Sequence, residues 1–156
     1  MPIVPEPFAE ESDPAGKPSF PEGFGIGTYG TSFVDVYDRW YQNISDAGAT
    51  AAFMACRCPE TTVLELGVGT GRLVPDLERA GLRVIGIDAS LAMLGQPGSA
   101  GAVCADFSAL PLRSGASVGG ALCAFNTLFN LPTPALQSEM FRQVAAVINE
   151  IGRAHV

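Results

Sequence analysis

Positive charge is scarce in this sequence: nine Lys and Arg face sixteen Asp and Glu, a net charge of −7, and Lys17 is the single lysine. A nucleic-acid interface needs cationic side chains gathered against phosphates. None is gathered here, so no nucleic-acid partner is expected. Histidine is almost missing. The one example, His155, sits at the chain end, far from Cys56 and Cys58, which leaves that Cys-x-Cys pair without companions for zinc and predicts no metal. The four cysteines do not make a disulfide framework; Cys104 and Cys123 lie in apolar runs and are expected to be reduced, buried thiols. No apolar run has the length of a membrane span. Met1-Pro2-Ile3-Val4-Pro5-Glu6 lacks the basic and apolar regions of a secretory signal, so no membrane partner and a cytoplasmic location are expected.

What remains is a chain of 156 residues that is 47% hydrophobic, enough for the core of one domain. Residues 1–30 hold six prolines and five glycines among Glu6, Glu10, Glu11 and Asp13, so residues 1–25 are expected to be a disordered leader. Residues 26–58 are expected to form a helical lid. Phe33, Val36, Tyr37, Trp40, Tyr41 and Ile44 recur at helical spacing, and an alanine-rich helix follows over 47–56. Tyr37, Trp40 and Tyr41 could cover a site or simply pack in the core.

After Pro59 the pattern alternates. Strands are expected at 62–66, 83–87, 102–104 and 118–125, with helices at 72–80, 90–94 and from Pro134 (capped by Thr133) to Ile148. Strand–helix alternation implies right-handed crossovers and a doubly wound parallel α/β sheet with helices on both faces.

Glu65-Leu66-Gly67-Val68-Gly69-Thr70-Gly71 falls between the first strand and its helix. Such a turn brings backbone N–H groups close to a ligand, and in a doubly wound fold it binds nucleoside-containing cofactors. The next strand ends in Asp88, seventeen positions after Gly71. A carboxylate there can hold both hydroxyls of a ribose; it can also cap the helix that starts after Ala89-Ser90. The dinucleotide fingerprint places its third glycine three residues after the second, where this chain has Arg72. Glu65 would repel a pyrophosphate and attract an ammonium. The pattern disfavours NAD and favours an aminoacyl sulfonium, with a nucleotide-dependent oxidoreductase as the alternative.

These residues resemble the class I S-adenosylmethionine-dependent methyltransferases, in particular small bacterial methyltransferase-domain proteins. The likeness is carried by Val63-Leu64-Glu65-Leu66-Gly67-Val68-Gly69-Thr70-Gly71-Arg72, then Val84-Ile85-Gly86-Ile87-Asp88-Ala89-Ser90 with Met93. Cys104-Ala105-Asp106-Phe107-Ser108-Ala109-Leu110 and Phe125-Asn126-Thr127-Leu128-Phe129-Asn130-Leu131 extend it, and Tyr37-Asp38-Arg39-Trp40-Tyr41 resembles the segment before the first strand. The resemblance implies a Rossmann-like fold and S-adenosylmethionine as cofactor. Gly67, Gly69, Thr70 and Gly71 would line its methionine part and Glu65 would approach its ammonium. Asp88 with Ala89 would hold the ribose, Asp106 the adenine amino group, and Phe107 would flank the ring. Read from the residues alone, Asp106 is also placed for a turn or cap. Asn126 would orient the methyl group or its acceptor, or satisfy backbone groups in a turn. The acceptor is expected to be a small molecule, and the sequence is silent on oligomeric state.

Family members continue past the last helix into a fifth strand and an antiparallel pair. Here Asn149 runs into Glu150-Ile151-Gly152-Arg153-Ala154-His155-Val156, which back-translates to the start of a common sequencing adapter. Residues 59–149 are therefore expected to be a partial, C-terminally truncated domain of about four strands, and 150–156 a non-native tail. The fourth strand would then be an exposed apolar edge, and the chain an inactive cofactor-binding fragment or a poorly active, poorly stable enzyme.

Overall fold

A computed structural model of the chain describes residue 32 and residues 46–58, 62–113 and 115–155. The expected leader and the aromatic helix with Tyr37, Trp40 and Tyr41 lie outside the described residues.

Helix α1 (Ala47–Arg57) starts where the Asp46 side chain accepts the Ala49 N–H at 2.9 Å. Strand β1 (Thr62–Leu66) follows, then α2 (Val74–Arg79), whose Pro75 sits in the first turn where its missing N–H costs nothing. Strand β2 (Arg83–Asp88) leads to the short helix α3 (Leu91–Leu94) and a 3₁₀ turn, Pro97–Ser99. Strands β3 (Val103–Cys104) and β4 (Val118–Cys123) come next, then a second 3₁₀ turn, Thr127–Asn130. Helix α4 (Pro134–Val147), capped as expected by Thr133, runs directly into β5 (Ile148–His155).

The sheet order is β3-β2-β1-β4-β5, every pair parallel. It has five strands, one more than expected. Residues set aside as a tail pair with β4, from Val118 beside Ile148 to Leu122 beside His155, with one irregularity between Val118 and Gly120. β4 is thus an interior strand, buried along its whole length, and not the exposed edge expected of it. A ladder needs only backbone donors and acceptors, which nearly any sequence can supply.

Side chains alternate across a strand, which divides the core. Leu64 and Leu66 of β1 pack with Ile87, Phe107, Cys123, Met140 and Val144 on the α4 side. Val63 faces the other way, onto Met54 of α1, Leu77 of α2 and Leu122. Glu65 shares the parity of Val63 and so belongs to the side of α1 and α2. Cys58 and Cys123 are buried, but Cys104, expected to be buried, is exposed, because β3 is only two residues long and forms the sheet edge. Among the described residues no helix is long and apolar enough to cross a membrane.

Candidate functional site

Parallel register brings the carboxyl ends of the strands to one edge. Leu66 lies beside both Ile87 and Cys123, and Asp88 beside Cys104. The segments leaving β1, β2, β3 and β4 therefore converge there, the position where open α/β sheets bind ligands.

The turn after β1 is anchored by the Gly67 and Val68 N–H groups, which donate to the Ile87 carbonyl at 2.8 and 3.1 Å. Its glycines do different work. A Cβ on Gly67 would run into the Thr127 side chain, so this residue lets the β4 segment approach. A Cβ on Gly71 would land on the carbonyl of Gly98, so this residue seats the 3₁₀ turn against the loop. Gly69 has φ +57° and nothing within 4 Å of where its Cβ would be. Of the three, Gly69 is the one whose missing side chain leaves open space. Thr70, between them, is buried.

Asp88 ties this turn to β2. Its Oδ2 accepts the Gly69 N–H at 2.9 Å and its Oδ1 the Ser90 N–H at 2.8 Å. The cap of α3 is Ser90, whose Oγ accepts the Met93 N–H at 3.4 Å, so the capping role weighed for Asp88 falls to its neighbour. Each Asp88 oxygen retains a further lone pair. Ala89, half-buried, follows Asp88 at the start of this segment.

Glu65 is 2% exposed, and its Oε2 is buried without a hydrogen-bond partner among the described residues. Burial pushes its carboxyl up to about 8; the Asp88 charge adds to the rise and the Arg72 guanidinium opposes it. The unfolded chain releases this proton near pH 4.5 while the folded chain keeps it to about pH 8. The stability contributed by the protonated group is whole below pH 4.5 and is lost progressively as pH rises to about 8. Across that interval a loss of a few kcal/mol is expected, at about 1.4 kcal/mol per pK unit. Urea denaturation at pH 5, 7 and 9 should show it, and Glu65→Gln should flatten it. Parallel curves for the two proteins would contradict a buried, protonated Glu65.

Asp106 accepts the Ser108 N–H at 2.8 Å and the Ser108 hydroxyl at 2.7 Å, so the turn role weighed for it is realised. Gln143 of α4 fixes the same loop, accepting from the Leu110 N–H at 2.7 Å and donating to the Ser108 carbonyl at 2.6 Å. Phe107 turns into the core at 6% exposure and belongs to the cluster on the α4 side. Asn126 is exposed and precedes the second 3₁₀ turn. Its carbonyl accepts the Phe129 N–H at 3.0 Å, while its side chain makes no capping bond.

Two residues of the site, Gly98 and Gln143, escape a reading by motif, and so does the contact between the motif residues Arg72 and Phe125. Gly98 carries a faint signal in the turn-forming Pro97-Gly98 pair. Phe125 takes φ +57°, rare for a bulky side chain, and the Arg72 guanidinium lies 4.3 Å from its ring centroid.

Residues 63–152 match the family described as "Methyltransferase domain". No curated protein matches the chain significantly. Among solved structures, the CcbJ methyltransferase from Streptomyces caelestis is 31% identical with a TM-score of 0.74, over 84% of this chain and 57% of that one. The sugar N-methyltransferase KedS8 from a Streptoalloteichus species is 22% identical, TM-score 0.65, over 89% and 56%. CalS10 from Micromonospora echinaspora, an amino pentose methyltransferase solved with S-adenosylmethionine, is 21% identical, TM-score 0.62, over 73% and 52%. The chain thus spans little more than half the length of these proteins.

Proposed function

We propose, from the premise that the chain belongs to the methyltransferase-domain family, that it binds S-adenosylmethionine at the β1–β2 edge and serves methyl transfer to a small-molecule acceptor. The observation that carries this reading is the unpartnered, buried Oε2 of Glu65 close behind the turn in which Gly69 faces open space. A buried carboxyl oxygen without a partner is costly, and a ligand ammonium would supply the missing donor and the positive charge that lets Glu65 give up its proton. A dinucleotide offers phosphates instead, which the Asp88 charge would repel and which bring Glu65 no cation.

In this reading Glu65 holds the ammonium, and Gly67, Gly69, Thr70 and Gly71 shape the methionine cradle. Asp88, beside Ala89, takes the ribose hydroxyls on its remaining lone pairs. Asp106 accepts from the adenine amino group, next to the buried Phe107. When bound, the cofactor supplies a methyl group on a sulfonium, a centre that needs alignment and exclusion of water more than protein chemistry. Asn126, exposed in the segment after β4, would orient the acceptor. The names of two neighbours, a sugar N-methyltransferase and an amino pentose methyltransferase, support a small-molecule acceptor. An uncharged amine attacks with its own lone pair and needs no base to start. The acidic balance of the chain speaks against nucleic acid, and the free cysteines among the described residues suit the cytoplasm.

Calorimetric titration tests the reading directly. S-adenosylmethionine is expected to bind and NADH to give no heat. Binding of NADH alone would turn the assignment toward an oxidoreductase. Binding of S-adenosylmethionine without turnover across a panel of amine and hydroxyl acceptors would reduce it to a cofactor-binding unit.

A further inference from the structure

Phe125 adopts a left-handed backbone at the end of β4, a conformation that glycine takes freely and a bulky residue only under constraint. Such an outlier at a site points to something the side chain does. The residue is 37% exposed, so burial of apolar surface is a weak reason for it. Its contact is specific: the Arg72 guanidinium lies over it, 4.3 Å from the centroid. Arg72 directly follows the glycine turn, and its charge acts on Glu65.

A guanidinium is the natural partner of a buried carboxylate, which it grips through two parallel hydrogen bonds. Here Oε2 of Glu65 has no hydrogen-bond partner among the described residues, although that cation is near enough to be felt. We propose that Phe125 is a positioning residue whose ring holds the Arg72 guanidinium off Glu65, reserving the Glu65 carboxylate for the ammonium of the ligand. The inference rests on the reading of Glu65 given above and adds what keeps that carboxylate available. Phe125 is one of the contacts that hold Arg72, and it sits on the opposite loop. The β4 end thereby sets the electrostatics of the β1 turn without touching Glu65. Among the described residues the charged groups that act on Glu65 are Arg72 and Asp88, and of these only Arg72 can compete with an ammonium.

The test uses the full chain. Phe125→Leu keeps a branched apolar residue under the same backbone demand and removes the ring; Phe125→Tyr keeps the ring. In ligand-free protein, carbon-detected NMR titration should show the Glu65 midpoint moving down from about 8 in Phe125→Leu, as Arg72 closes on it, and staying in place in Phe125→Tyr. Calorimetry at pH 7.5 should show S-adenosylmethionine bound about three- to tenfold more weakly by Phe125→Leu, the scale of one cation–π contact. Added to Arg72→Met, the same substitution should cost nothing. An equal penalty with and without Arg72, or a Glu65 midpoint that ignores the ring, overturns the proposal. If the unmodified protein failed to bind S-adenosylmethionine, the functional reading would fall, and the ligand-free titration would still decide whether Phe125 controls the Arg72–Glu65 distance.

Discussion

Gly71→Ala is expected to lower the melting temperature by about 10 °C, while Gly69→Ala, two residues away, lowers it by only about 5 °C. Both positions have positive φ, +79° and +57°, so each alanine carries the left-handed penalty of about 1–2 kcal/mol. The surroundings separate them. The methyl group at 71 would collide with the backbone carbonyl of Gly98, which no rotamer change can move aside, and overpacking of that kind adds about 1–3 kcal/mol. The methyl group at 69 meets nothing within 4 Å. Ligand binding should show the reverse order. Alanine at 69 projects into the space assigned to the cofactor and should weaken S-adenosylmethionine binding more than tenfold with the fold intact. Thermal denaturation followed by circular dichroism, with calorimetry on the folded fraction, checks both halves. Equal melting temperatures for the two variants would refute the division of labour between these glycines.

That division also marks what the chain of letters discloses. The β1–turn–α2–β2 unit was legible because its signals are local: an apolar run, glycines at a turn, Pro75 in a first turn, Asp88 at a strand end. The Thr133 cap and the periodic face of α4 were legible for the same reason. Gly98 was not, since its importance comes from meeting Gly71 across 27 residues of chain. Motif reasoning assigns Gly71 to the ligand, whereas its missing Cβ makes room for protein backbone. The exposure of Cys104 was misjudged because an apolar run says nothing of how many residues of it enter the sheet. The fifth strand is not expected because residues 150–156 read as a non-native tail, whereas pairing is decided by an open ladder next door, here β4. Glu65 was legible as an acidic residue near a ligand; its buried, partnerless state depends on α1 and α2 closing over that face of β1.

Asp88→Ala should be the most damaging single change for the ligand. The carboxylate holds the Gly69 N–H on one oxygen and the Ser90 N–H on the other, so its loss removes two charge-assisted hydrogen bonds within the protein besides those proposed to the ribose. Hydrogen bonds to a charged group contribute about 1.5–3 kcal/mol, which for the ribose alone predicts roughly 10- to 150-fold weaker S-adenosylmethionine binding. Release of the Gly69 turn should push the loss toward the upper end. Asp88→Asn separates the contributions. The amide keeps one acceptor oxygen, so it can hold either the turn or the Ser90 N–H, and binding should fall between the wild type and alanine. It also removes a negative charge that helps keep Glu65 protonated, so the Glu65 midpoint should move down in Asp88→Asn. Calorimetry for affinity and NMR titration for Glu65 read the two effects independently. Undiminished affinity in Asp88→Ala would mean that this carboxylate serves the turn alone and that the sugar of any ligand lies elsewhere.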